Sequence, residues 1–272
     1  MNKKVLLRIL MAISIAVFVV CAVGLGYELY TNWKSQSYYS EMASGIETRP
    51  RDLSNPGGNR PAPAQPDDPE DPSAGTDEPV EEIDPWVPYM DFDALARQLP
   101  GAIGWIKLEG TPIDYPVMHG EDNDYFLKYL PDGTEHRNGS IFLDFRNKPD
   151  FSEKSIMIYG HMLRTNDMFG YLKYYREQDF YEDHPVIYLH TPQTDYAIVI
   201  FASYLLDSAR EVPPMRFTGE EGFMEHIENI KSRSILRSDV EVFPDDRIVN
   251  LCTCAYDYNN ARLVIVGKLV EF

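Results

Sequence analysis

The sequence predicts a mainly-β domain of eight strands, closed or nearly closed into a barrel. Short apolar or alternating runs recur between Glu-Gly, Asp-Gly, Asn-Gly and Pro turn signals, a pattern typical of an antiparallel sheet. Residues 86–272 number 187, which is enough for one domain with a sizeable core. The predicted strands are residues 103–108, 113–117, 140–143, 155–159, 186–190, 196–206, 247–254 and 263–272.

Three helices accompany these strands in the prediction. Residues 92–99 end before Pro100, and residues 166–175 precede a polar stretch. The clearest helix begins at Thr218, where Thr218 and Glu221 fit the Ser/Thr-x-x-Glu capping box. Behind that cap, apolar residues recur at helical spacing, so we expect this helix, between the sixth and seventh strands, to pack on the barrel. These apolar residues are Phe223, Ile227 and Ile230.

The N-terminal segment has the length and composition of a membrane anchor. Residues 9–27 contain no charged residue, and nineteen helical residues rise about 28 Å, close to the ~30 Å thickness of bilayer hydrocarbon. Lys3, Lys4 and Arg8 precede this run, so residues 1–8 are expected in the cytoplasm and the rest of the chain outside. A cleaved signal peptide is the alternative, but the run is longer than usual and no clear Ala-x-Ala site follows.

Residues 28–85 are predicted to form an extracellular spacer between the anchor and the domain. Residues 50–85 hold nine prolines and ten Asp or Glu against two Arg, with no aromatic residue. Such a segment buries too little apolar surface to offset its ordering entropy, and prolines and like charges keep it extended. We therefore expect a chain without residues 1–85 to be a soluble, folded and active domain.

The composition excludes two classes of protein. The chain has 43 Asp and Glu against 25 Lys and Arg, a net charge of -18, whereas a nucleic-acid-binding protein needs a basic patch. Three cysteines, one of them (Cys21) in the apolar run, cannot form a disulfide scaffold. No second Cys pair or His-x-x-x-His accompanies Cys252 and Cys254, so neither a metal nor another cofactor is expected.

Cys252 and Cys254 end the seventh predicted strand. A polar turn follows, and a hairpin symmetric about Tyr258 would place Cys254 directly opposite Arg262. An arginine beside a cysteine favours the thiolate and can stabilise an oxyanion at an attacked carbonyl. Buried inert thiols and a surface arginine are the alternative interpretation, and the spacing does not exclude it.

A cysteine nucleophile also needs a group that carries protons. His161 directly follows the strand 155–159 and Gly160, a position that holds an imidazole at the rim of a sheet. The pattern favours His161 but leaves the other histidines open as candidates. These are His119, His136, His184, His190 and His226.

Several motifs resemble those of one family. Residues 250–254, Asn-Leu-Cys-Thr-Cys, followed by Arg262, resemble the Thr-Leu-x-Thr-Cys…Arg signature of the sortases. Residues 158–162 are similar to the histidine motif of that family. Further blocks resemble its class B, although Asn250 stands in place of the motif's threonine and Cys252 fills its variable position. These blocks are residues 104–106, 113–117, 139–144, 146–147, 168–169, 172 and 175.

The resemblance implies a sortase-like closed eight-stranded β-barrel over residues 86–272, with an N-terminal helix and a long helix between strands six and seven. It also implies a cysteine transpeptidase of Gram-positive bacteria, anchored in the cell membrane by one span. Cys254 would attack the carbonyl of a Thr in the C-terminal sorting signal of a secreted protein. His161 would transfer protons, and Arg262 would hold the substrate and its oxyanion. An amine of a peptidoglycan precursor or of a pilin would accept the acyl group.

Two other functions fit the same residues. A thiol peptidase would use the same three side chains and differ only in resolving the intermediate with water. A membrane-tethered binding module would make the cysteine, histidine and arginine incidental to function.

Overall fold

The computed structural model describes residues 3–46, 48 and 89–272. Within them, eight strands form a closed barrel in the order β1-β2-β3-β4-β7-β8-β6-β5, which confirms the predicted eight-stranded barrel. Each strand lies within two residues of its predicted bounds. The strands are β1 Ala102–Lys107, β2 Asp114–Met118, β3 Ile141–Leu143, β4 Ser155–Tyr159, β5 Val186–His190, β6 Asp195–Asp207, β7 Arg247–Cys254 and β8 Ala261–Glu271.

Two neighbouring pairs of strands are parallel, so the prediction of an antiparallel sheet is wrong for them. β3 lies parallel to β2, and β7 lies parallel to β4, whereas the remaining pairs are antiparallel. The chain between β2 and β3, and between β4 and β7, is long enough for a crossover, which a parallel pair requires. The pair β4–β7 later determines the geometry of the site.

Alternate residues of β7 pack on the two faces of the barrel wall. Val249 and Leu251 belong to the large cluster of buried side chains inside the barrel. Ile248 and Cys252 point to the other face, where they join a second buried cluster. The helix between β6 and β7 covers that second cluster through Phe223, Ile227 and Ile230, as their helical spacing predicts.

The helices depart from the predictions in local detail. The described residues form α1 Lys3–Gly45, α2 Phe92–Gln98, α3 Gln178–Asp183, α4 Gly219–Arg233 and two 3₁₀ helices, Tyr125–Leu127 and Gly170–Arg176. Thr218 precedes α4, but its side chain makes no capping hydrogen bond, because Gly219 has a positive φ of 70° that distorts the first turn. The predicted helix 166–175 is wrong at its start, since Asn166 and Met168 also have positive φ.

Helix α1 extends well beyond the apolar run, through residues 28–45 of the predicted spacer. Its second half buries a stripe of side chains at spacings of three and four residues against the barrel. The Tyr39 hydroxyl donates a hydrogen bond of 2.9 Å to the Gly139 carbonyl, and its ring packs edge-on against Tyr115. The buried residues are Asn32, Ser35, Tyr39, Met42 and Ile46.

The end of this segment returns to the barrel. Thr48 pairs with Met90 in an antiparallel bridge, so the connection between them begins and ends at one place. Residues 47 and 49–88, and with them the Pro-rich and acidic stretch 50–85, lie outside the described residues. The contacts between α1 and the barrel therefore fix how the two are arranged, and the length of the chain between Thr48 and Met90 does not.

One helix of the described residues is long and apolar enough to cross a membrane. In the first half of this helix, α1, the apolar residues 9–27 are exposed. This first half of α1 contains the predicted anchor, residues 9–27.

A chain that begins at Glu28 should be more stable than one that begins at Tyr89. The longer chain keeps the buried Tyr39, Met42 and Ile46, and their loss is expected to lower the free energy of unfolding by about 2–5 kcal/mol. Urea denaturation of both chains measures the difference. Equal free energies of unfolding would show that α1 does not stabilise the barrel.

Candidate active site

The parallel register of β4 and β7 brings His161 beside Cys254. Tyr159 is paired with Cys252, so two further residues along each parallel strand lead to His161 and Cys254. The Gly160 amide continues the pairing, with a 3.2 Å hydrogen bond to the Cys252 carbonyl. A Cβ at Gly160 would lie 2.4 Å from the Ile141 side chain and 2.7 Å from the Phe169 ring, so any larger residue would force one of these buried side chains to shift.

The hairpin of β7 and β8 supplies the third side chain. Cys254 is paired with Arg262 across this hairpin, which confirms the predicted register about Tyr258. The Arg262 guanidinium donates a 3.0 Å hydrogen bond to the carbonyl of Ala261. Three adjacent strands thus bring His161, Cys254 and Arg262 to one end of the barrel.

The hydrogen bonds of His161 fix its tautomer. Nε2 lies 2.8 Å from the Leu127 carbonyl oxygen, and because a carbonyl only accepts, Nε2 carries a hydrogen. Nδ1 is therefore the ring nitrogen that can exchange a proton. Hydrogen bonding to the Cys254 thiol raises the pKa of His161, which outweighs the opposing effects of burial and of the Arg262 charge.

The same contacts favour the thiolate of Cys254. Hydrogen bonding to His161 lowers the pKa of the Cys254 thiol, and the positive charges of Arg262 and His161 lower it further, against the effect of burial. The raised pKa of His161 and the lowered pKa of Cys254 together stabilise a thiolate–imidazolium pair. Such a pair is a nucleophile beside a proton donor.

Cys252 has a different environment from Cys254, although both are free thiols. Its side chain is buried in the cluster beneath α4, and this burial raises the pKa of the Cys252 thiol to about 12. Cys252 therefore stays protonated at neutral pH. Of the two thiols at the end of β7, Cys254 is the one suited to nucleophilic attack.

The three side chains open onto a groove of about 420 Å³. Its wall includes residues that the sequence analysis did not single out as site residues. Two of them belong to β3 and β4, three lie in loops, and Leu127, at the end of the short 3₁₀ helix Tyr125–Leu127, contributes its backbone carbonyl, which no side-chain pattern reveals. These residues are Asn123, Asp124, Leu127, Phe142, Tyr159 and Ser208.

A buried carboxylate fixes one wall of the groove. Asp144 accepts hydrogen bonds from the Asn123 amide at 2.9 Å, the Arg146 guanidinium at 2.8 Å and the Tyr159 hydroxyl at 3.1 Å. Burial favours the neutral acid, but the hydrogen bonds from Arg146 outweigh it and lower the pKa of Asp144. Asn123 and Tyr159 are thereby held in fixed positions along the groove.

The other five histidines, including His119 and His226, do not line this groove. His136 bonds to the Thr31 carbonyl of α1, and His184 stacks on Phe180. His190 forms a buried pair with Asp195 at 2.8 Å. Among the residues that the structure describes, no group of three or more His, Cys, Asp or Glu could hold a metal ion.

Comparison with known proteins assigns the family. The model of the Sortase domain matches residues 106–270. The chain belongs to the sortase family. It is 36% identical over 170 residues to sortase B of Listeria monocytogenes, covering 62% of this chain and 69% of that protein. It is 33% identical over 182 residues to sortase B of Staphylococcus aureus, covering 66% of this chain and 75% of that protein.

Solved structures agree with this assignment. The Staphylococcus aureus sortase B–substrate complex superposes with a TM-score of 0.63 at 32% identity, covering 66% of this chain and 84% of the other. The Clostridium perfringens sortase B superposes with a TM-score of 0.63 at 30% identity, covering 66% of this chain and 100% of the other. This sortase is thus of class B, a cysteine transpeptidase, and α4 occupies the position expected for the long helix of that class.

Replacement of His161 by Gln should raise the pKa of the Cys254 thiol. Gln keeps a donor for the Leu127 carbonyl but cannot carry the positive charge that stabilises the thiolate. At a pH below the pKa of the thiol in both proteins, the alkylation rate should therefore fall, by about tenfold if the pKa of Cys254 rises by about one. The rate of alkylation by iodoacetamide between about pH 5 and 10 measures this in a chain that begins at Glu28. An unchanged profile would show that His161 does not control the thiol.

Proposed function

We propose that this sortase is a membrane-anchored transpeptidase that cleaves a C-terminal sorting signal after Thr. It transfers the acyl group to an amine of a peptidoglycan precursor or of a pilin. The observation that carries the proposal is the meeting of Cys254, His161 and Arg262 at the end of one groove. The Staphylococcus aureus relative is solved in complex with a substrate, which supports a substrate-binding role for the groove of this chain.

In the first half of the reaction, the Cys254 thiolate adds to the carbonyl carbon of the Thr. The oxygen of that carbonyl gains the negative charge, and the Arg262 guanidinium stabilises it as an oxyanion. The intermediate then expels the nitrogen of the next residue, which takes the Nδ1 proton of the His161 imidazolium. A thioester on Cys254 and a neutral imidazole remain.

In the second half, an amine adds to the thioester carbonyl. The neutral His161 accepts the proton that this amine loses, and the new intermediate expels the Cys254 thiolate. The thiolate–imidazolium pair is restored, and the acyl group now forms an amide with the acceptor. Water in place of the amine would make the enzyme a thiol peptidase, because the same groups serve both reactions.

The first half of α1 supports the membrane location. In the proposed topology, residues 1–8 remain in the cytoplasm, residues 9–27 cross the membrane once, and the remainder lies outside. The catalytic domain, residues 86–272, then faces the compartment in which secreted proteins emerge. The charged Lys3, Lys4 and Arg8 agree with this orientation.

A library of sorting-signal peptides tests the function. With an added amine such as triglycine, mass spectrometry should detect a peptide that ends in Thr joined to that amine. Cys254→Ala should abolish both cleavage and transfer, whereas Cys252→Ala should keep most of the activity, because the Cys252 thiol does not ionise. If the only product in the presence of the amine is the peptide with a free carboxylate at its terminal Thr, the enzyme is a thiol peptidase. Activity lost in Cys252→Ala and kept in Cys254→Ala would contradict the assigned nucleophile.

Replacement of Arg262 by Lys should lower the turnover number by roughly 10²–10³, the usual loss for one oxyanion donor. Lysine keeps the positive charge but lacks the planar fork that binds an oxyanion with two donors. Steady-state cleavage of the best library peptide measures the loss. Near-normal turnover would show that Arg262 acts only through its positive charge near Cys254 and does not bind the oxyanion.

A further inference from the structure

The loop between β7 and β8 is held by an ion pair outside the groove. Both terminal nitrogens of Arg176 donate to the Asp257 carboxylate, at 3.0 and 2.6 Å. Arg176 ends the 3₁₀ helix Gly170–Arg176, and Asp257 lies three residues after Cys254. The contact is a bidentate arginine–carboxylate pair, which constrains orientation as well as distance.

The 3₁₀ helix also contacts the histidine side of the site. The Phe169 amide, just before this helix, donates a 3.0 Å hydrogen bond to the His161 carbonyl. The loop makes a second contact there, because the Tyr256 hydroxyl donates to the Met162 carbonyl at 3.3 Å. These contacts close a ring that runs from His161 through the 3₁₀ helix and Arg176 to Asp257, and back through Tyr256.

Stability alone does not account for the pair. Both side chains are about one-third exposed, where an ion pair contributes little to stability. Nε of Arg176 is buried and has no hydrogen-bond partner among the described atoms, an arrangement that costs free energy. The pair nonetheless joins the loop that follows Cys254 to the 3₁₀ helix, whose preceding residue, Phe169, bonds to the carbonyl of His161.

We infer that Arg176 and Asp257 are positioning residues for the transpeptidase reaction. They hold the β7–β8 loop against the 3₁₀ helix and thereby keep Cys254 within hydrogen-bonding reach of His161. The inference rests on the proposed function. A displacement of about 1 Å in a reacting group can lower a rate by up to 10², so loosening this ring should slow the chemical step more than it weakens peptide binding.

The test compares Asp257→Asn with Asp257→Glu in a chain that begins at Glu28. Asparagine removes the charge, and its amide can accept from Arg176 through only one oxygen. The turnover number for the sorting-signal peptide should fall about tenfold, with KM changed less than about twofold. The pKa of the Cys254 thiol, from its alkylation profile, should rise. Glutamate restores the carboxylate and should recover most of the turnover.

Glu271→Gln is the matched control. Glu271 pairs with Arg247 at the opposite end of β7, with similar exposure, so its loss should leave turnover and the Cys254 profile unchanged. An Asp257→Asn enzyme with normal turnover and an unchanged alkylation profile would overturn the inference, as would a loss no larger than that of Glu271→Gln. If the wild type cleaves no sorting-signal peptide, the proposed function fails, and the alkylation profile still decides the role of the pair.

Discussion

The position of β7 between β4 and β8 is the constraint on which the site depends. β4 runs parallel to β7, so their carboxyl ends coincide, and the residues that follow β4 lie beside the end of β7. β8 runs antiparallel, so its first residues lie opposite the same end. If one of these strands ran in the opposite direction, the three side chains would lie far apart. If one register were shifted by a residue, one of the three side chains would point to the other face of the sheet.

The barrel wall also decides which cysteine ionises. Cys252 and Cys254 are two residues apart on one strand and both line the groove, yet Cys252 is buried in the cluster that α4 joins, whereas Cys254 is only half-buried. Burial raises the pKa of Cys252, whereas contact with His161 and Arg262 lowers that of Cys254. The pKa of each thiol therefore follows from how deeply its side chain is buried and from the strand registers that bring His161 and Arg262 to Cys254.

The sequence predicted what depends on local pattern and not what depends on distant contacts. Alternation and turn signals located all eight strands, and symmetry about Tyr258 located the pairing of Cys254 with Arg262. The parallel pairs were missed because strand direction depends on crossovers, which local alternation does not encode. The second half of α1 was missed because its buried stripe begins with the polar Asn32 and Ser35. Leu127 acts through its carbonyl, so its side chain carried no signal.

Helix α1 contacts both segments that hold His161. The Thr31 carbonyl bonds to His136, and Tyr39 bonds to Gly139, in the segment that follows Leu127. Gln36 donates to Asp167, in the loop that follows His161. Because the same helix continues into the apolar run, the proposed anchor and the groove belong to one continuous framework. In the proposed topology, the site would therefore lie at a defined height above the bilayer, set by the packing of α1 on the barrel.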